Sequence, residues 1–233
     1  MPYTARTHQL NLSLLYHIFN RGHNRGMIFH DDEDYQFFIH LLADYATIGK
    51  LSIYHWVLMP NHYHVVLELD EPTKISSLMA GIGRSYACYH HRKYHSAGTL
   101  WQGRFKSQPI QKELYLNACG RYIERNPVKA GVVGMAWDYL YSSAAYYALG
   151  KQDCLTVQSP LFDDFGETIE SRRQKYQEFL LAFDSDKDTL FENVEFPRGS
   201  AEFKKRLLKE NGRYFPRRKG RTRARVGYNG EES

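Results

Sequence analysis

The chain has little cysteine and no long apolar run. Its three cysteines, Cys88, Cys119 and Cys154, are odd in number, widely spaced and form no CxxC pair. That argues against a disulfide framework or a cysteine-based zinc site and for a reducing, cytoplasmic setting. Nowhere do roughly 18 apolar residues run together, and the opening MPYTARTHQLNLSLLYHIF has no apolar signal core, so neither a membrane span nor secretion is expected. Internal repeats and low-complexity tracts are absent, which leaves an ordinary globular architecture.

What is present supports that class. Of 233 residues, 42% are hydrophobic and 15% aromatic, with 18 tyrosines, enough for a real core with many half-buried rings. The length fits one domain over 1–150 and an extension over 151–233. The net charge of +5 is unevenly spread. Segment 160–198 carries ten acids against five bases, and segment 199–233 carries eleven bases against four acids. The terminal FPRRKGRTRARV, Phe215 to Val226, reads as a phosphate-binding tail, with a merely solvated tail as the bland alternative. The acidic segment has no assigned role.

Periodicity gives the element order. Leu12 to Arg21 reads as a strand that runs into the glycine-flanked loop RGHNRG. His30 to Ile48 opens with acids and spaces Phe37, Phe38, Leu41, Leu42 and Tyr45 as a helix, stopping at Gly49. Leu51 to Met59 and His62 to Leu69 form a hairpin about Pro60-Asn61. Lys74 to Tyr94 is helical, Arg104 to Ile110 a fourth strand, and Gln111 to Asn126 a helix closed by Pro127. Further helices are expected near Ser142 to Leu149, Ile169 to Phe183 and Ala201 to Glu210. The order implies an α+β, ferredoxin-like fold: an antiparallel sheet with helices packed on one face.

Two patterns carry chemistry. In MPNHYHVVLEL, strand alternation puts His62 and His64 on one face, roughly 7 Å apart at about 3.3 Å rise per residue, close enough to share one metal ion. An HxH is also what two plain strand histidines look like. In NACGRYIERNPVKAG, Tyr122 and Asn126 are four apart and share a helix face. An amide oxygen can complete a site with two imidazoles, and a phenol beside such an ion is a candidate nucleophile. The same stripe also fits a core-facing helix. Residues preceding proline avoid the α region, so Asn126 is expected at a frayed helix end.

The chain resembles the REP-associated tyrosine transposases, within the HUH single-strand endonuclease superfamily. His62-Tyr63-His64 is similar to the HUH signature, and RYIERNPVKAGVV to the helix that carries the family's tyrosine. LWQGRFKS, Leu100 to Ser107, is similar to its Trp-Gln-x-Arg-Phe element, and YHIFNRGHNRGMIF to its first strand and loop. These motifs span about Tyr16 to Ser143. The resemblance implies Tyr122 as nucleophile and His62, His64 and Asn126 as metal ligands, the asparagine standing where more distant members use glutamine. It implies hairpin-forming single-stranded DNA as substrate, a bacterial, nucleoid-associated setting, and a monomer, with a homodimer as the alternative.

Mixed nitrogen and oxygen ligation suits Mg²⁺ or Mn²⁺, with zinc on His90, His91 or His95 as a competitor. Candidate DNA contacts are Arg21 and Arg25 in the first loop, Trp101, Gln102, Arg104 and Lys106 in the second element, and Arg121, Arg125 and Lys129 around the tyrosine. Each also reads as core packing or a solvated charge. The competing function is a hairpin-binding protein on the same fold that does not cut.

Overall fold

The computed structural model describes residues 15–69, 75–182, 191 and 197–211. The basic tail from residue 212 and the first 14 residues lie outside the described set, as does most of 183–196. The elements are β1 (Leu15–Arg21), α1 (Asp32–Gly49), β2 (Leu51–Met59), β3 (His62–Leu69), α2 (Ile75–Lys93), β4 (Lys106–Ile110), α3 (Lys112–Glu124), α4 (Asn126–Lys129), α5 (Ala144–Leu149), α6 (Ile169–Leu181) and α7 (Ala201–Asn211).

The four strands form one antiparallel sheet in the order β2-β3-β1-β4, the ferredoxin-like arrangement expected from the βαββαβ order. Local chemistry sets its parts. The Asp31 side chain caps α1 by accepting from the Asp34 amide, and Asp32, Glu33 and Asp34 complement the positive helix end. Pro60 and Asn61 close the hairpin and fix the register Met59 to His62 and Val57 to His64.

The helices do not share one face, and that expectation is corrected. On one face Tyr16, Ile18, Trp56, Leu58, Tyr63, Val65 and Leu67 pack against Phe38, Leu42, Met79, Ile82 and Tyr86 from α1 and α2. On the other, Leu15, Val57, Met59, Val66 and Ile110 meet Leu116, Cys119, Tyr122 and Ile123 of α3. Both faces carry apolar positions, so each must be covered, and α3 covers the second. A register shift between Ile53 and His55 adds to this: the bulge lets Tyr54 and His55 both face α3.

Both sheet edges are closed. Beside β2, Val57 bridges to Ser142 and Ile53 to Thr156; beside β4, Ile110 bridges to Arg198. A third apolar cluster gathers Ala144, Tyr147, Phe162, Tyr176 and Leu180, so packing runs continuously across residue 150.

Candidate active site

The two histidines of β3 sit on the α3 face, their ring centroids 5.2 Å apart. Each engages Nδ1 with a protein partner: His62 Nδ1 lies 2.7 Å from Asn61 Oδ1 and His64 Nδ1 lies 2.8 Å from His17 Nε2. When Nδ1 donates in these bonds, each ring keeps its lone pair on Nε2, the tautomer a metal ligand needs. Burial pushes the pKa of His62 down, and that of His64 well down with help from the neighbouring rings of His17 and His62. Neutral imidazoles are the form that ligates.

Tyr122 and Asn126 come to the same place. The Tyr122 ring stands edge-on to His64 at 5.8 Å and to His17 at 6.1 Å between centroids. The Asn126 side chain lies beside the His62 ring, where it opposes the burial effect on that histidine. The expected frayed end is absent. Pro127 opens the short helix α4 rather than closing α3, a position where its missing N–H is not needed. It leaves the Ile123 carbonyl without the usual donor four residues on. Asn126 Nδ2 supplies one, donating to Ile123 O at 3.1 Å and to Tyr122 O at 2.8 Å. With its NH₂ so engaged, the amide oxygen is the atom left to act as a ligand.

Two neutral imidazoles and an amide oxygen are donors of the class that Mg²⁺ or Mn²⁺ takes, so these residues could hold such an ion. Among the described residues no three His, Cys, Asp or Glu side chains group to hold a metal ion, so a site of this kind needs the amide. His90 and His91 are engaged elsewhere, His90 Nε2 with His30 at 3.2 Å and His91 with Ser96 and Gly98.

The predicted DNA contacts fall into two groups. Arg21, Arg25, Gln102, Arg104 and Lys106 are exposed at the sheet end where Arg21 pairs with His62. Backbone bonds from Gly22 to Asn61, from His23 to Leu100 and from Gln102 to Arg21 tie those loops together. Gly22 is required there because a Cβ would lie 2.1 Å from the Gly26 carbonyl. Trp101 is half-buried and donates from Nε1 to Gly83 O, so it forms a wall rather than an open platform. That wall bounds a cavity of about 730 Å³, lined also by Tyr63, Met79, Arg84 and Arg104. Lys129 is exposed on α4.

Arg121 and Arg125 do something else. Arg121 is buried, donates to Ala182 O and lies over the Phe179 ring; Arg125 donates to Leu180 O and Leu181 O. Both cap the C-terminal carbonyls of α6 and so dock the extension onto α3.

Sequence reasoning missed His17. It is fully buried, its pKa is lowered by burial to about 4, and it holds His64 from the adjacent strand. Its place in YHIFN, on the neighbouring strand and opposite Val66, two residues past His64, was the available signal. Glu124 was also passed over, although it lies between Tyr122 and Asn126 in the sequence.

Residues 11–126 match the family model described as IS200-like transposase. A solved REP-associated tyrosine transposase bound to a REP hairpin shares the fold with a TM-score of 0.52 and 19% identity, covering 68% of this chain and 96% of that one. A candidate transposase of Deinococcus radiodurans R1 aligns at 22% identity over 44% of this chain and 82% of its own, with a TM-score of 0.36. No curated protein matches.

Proposed function

Residues 11–126 place this chain in the IS200-like transposase family, and from that premise we propose a metal-dependent endonuclease and strand transferase that cuts and rejoins single-stranded DNA at palindromic, REP-like hairpins. Membership of that family implies a DNA-cleaving and DNA-transferring enzyme. The observation that carries the finer reading is the meeting of the Tyr122 ring with His64 and His17, beside the contact between Asn126 and His62.

Tyr122 is the nucleophile. An ordinary phenol has a pKa of about 10 and attacks weakly, so it needs a polarised phosphate. A divalent ion held by His62, His64 and Asn126 would supply that polarisation and offset charge on the phosphate oxygens. The Tyr122 oxygen bonds to phosphorus as the bond to the 3′-oxygen breaks; the phenolic proton leaves to solvent, and the 3′-oxygen takes one up as a hydroxyl. A 5′-phosphotyrosine remains. Attack by the 3′-hydroxyl of another strand end reverses the exchange and restores the phenol. One phosphodiester replaces another, so no ATP is required.

Arg21, Arg25, Arg104 and Lys106 form an exposed basic rim at the same sheet end and support a path for the strand. The cavity lined by Trp101, Arg84 and Arg104 offers a ring and positive charges to an unpaired base. Nucleophile and ligands all come from one chain, which supports a monomer as the working unit.

The test is incubation with hairpin-bearing single-stranded DNA and Mn²⁺, followed by denaturing electrophoresis. A covalent adduct that Tyr122→Phe abolishes is expected. Hairpin binding without any adduct would make the protein a binder only, and cleavage that survives Tyr122→Phe would make it a metallohydrolase acting through water.

A further inference from the structure

Glu124 has no exposed surface and ends in a network reaching three other parts of the chain. Oε1 accepts from His55 Nδ1 of β2 at 2.9 Å and from Ser143 Oγ, just before α5, at 2.6 Å. Oε2 accepts from the Tyr176 hydroxyl of α6 at 2.8 Å. Ser143 Oγ in turn accepts from the Trp56 amide at 2.9 Å, so the hub is anchored in the β2 backbone. His55 packs directly beneath the same helix: a Cβ on Gly120 would fall 2.7 Å from its ring.

Removing a carboxylate from water is costly before its partners offset the loss, and an apolar side chain of similar volume would serve stability at least as well. What the charge provides is direction. Three hydrogen bonds from different elements fix both the rotation and the axial position of the helix turn that bears them. Glu124 follows Tyr122 by two residues and precedes Asn126 by two, about 200° around the helix from each. It therefore grips that turn from the side opposite the two site residues.

We infer that Glu124 is a positioning residue for the reaction, holding the last turn of α3 so that Tyr122 and Asn126 reach the β3 histidines, with Tyr176 making the extension part of that support. This rests on the nuclease reading for its consequence but not for its geometry. The position of α3 depends on β2, through the bulge that aims His55, and on α6, whose end is capped by Arg121 and Arg125 from the same helix. An element outside the matched transposase segment thus shapes the site within it.

The test compares wild type with Tyr176→Phe, which deletes one hydroxyl and keeps the ring, with Glu124→Gln, and with Phe165→Leu, which trims a ring packed on the apolar cluster around Tyr176 without removing a side-chain hydrogen bond. Two readouts are taken: amide hydrogen exchange along residues 112–130, and single-turnover adduct formation alongside hairpin affinity. Tyr176→Phe and Glu124→Gln should speed exchange selectively over 120–126 and slow adduct formation between about 10- and 100-fold, with hairpin affinity within about twofold. Phe165→Leu should lower the melting temperature without that split. Unchanged exchange over 120–126, or equal slowing by Phe165→Leu, overturns the inference. A wild type that forms no adduct defeats the nuclease reading instead, and the exchange pattern still decides whether Glu124 holds the turn.

Discussion

The two faces of the sheet are built from the same four strands yet do different work. The face under α1 and α2 is closed by aliphatic and aromatic side chains, with Phe38, Tyr63, Tyr86 and Trp101 in mutual contact. Between the other face and α3 lie His17, His55, His64 and Gln108 of the strands and Glu124 of the helix, all buried. A polar group in an interior costs stability unless it is bonded, so a face that collects so many trades stability for placement. One face can therefore be trimmed for stability alone, and the other should respond to mutation in activity first.

The largest effect that would break this contrast is at His64. On the proposed reading, His64→Ala should reduce metal-dependent cleavage by at least about 10²-fold. It leaves His17 Nε2 without its partner, so the stability loss should be about 1–3 kcal/mol. Phe38→Ala, on the opposite face, should lose about 3–5 kcal/mol through the cavity it opens, while cleavage measured on the folded fraction changes little. Urea unfolding and single-turnover cleavage on both variants check the pair. If His64→Ala destabilises more than Phe38→Ala with cleavage retained, the division of labour between faces is wrong.

A smaller effect sharpens it. His17 holds the ligand His64 and also stands edge-on to Tyr122, so His17→Ala should raise the Mn²⁺ concentration for half-maximal cleavage about 10- to 100-fold and leave hairpin affinity unchanged. Equal loss of both would assign His17 to packing rather than to orienting a ligand.

How far these faces could be read beforehand differs for a physical reason. The strands and long helices were legible because alternation and the 3.6-residue period write burial directly into sequence: α1 was expected at His30 to Ile48 and found at Asp32–Gly49. His62, His64, Tyr122 and Asn126 were legible because each pair sits at a local spacing. The partners of those residues were not. His17 lies 47 residues from His64, and His55 lies 69 from Glu124. Contacts that span the sheet, and a bulge that turns His55 towards α3, leave no periodic trace. Arg121 and Arg125 misled in the same way, since a basic residue beside a candidate nucleophile gives no sign that its guanidinium caps a helix end some 60 residues later.

The smallest predicted effect lies at the rim of the α1/α2 face, where the Asp34 side chain has no solvent exposure and meets Lys93 at 2.9 Å. Burial alone would raise its pKa, but bonds from the His30 amide, the Tyr94 hydroxyl, Lys93 and the Tyr89 hydroxyl outweigh that and hold it below the ordinary carboxylate value. A carboxyl with a depressed folded-state pKa contributes stability above its unfolded pKa of about 4, and that contribution fades as pH falls through the folded value. Asp34→Asn should therefore lower the melting temperature at neutral pH and flatten its fall between roughly pH 5 and pH 3. Cleavage at neutral pH by the folded protein should be unaffected, because this ion pair sits on the face without the candidate site. A parallel fall in cleavage would mean that the rim of the first face is coupled to the second.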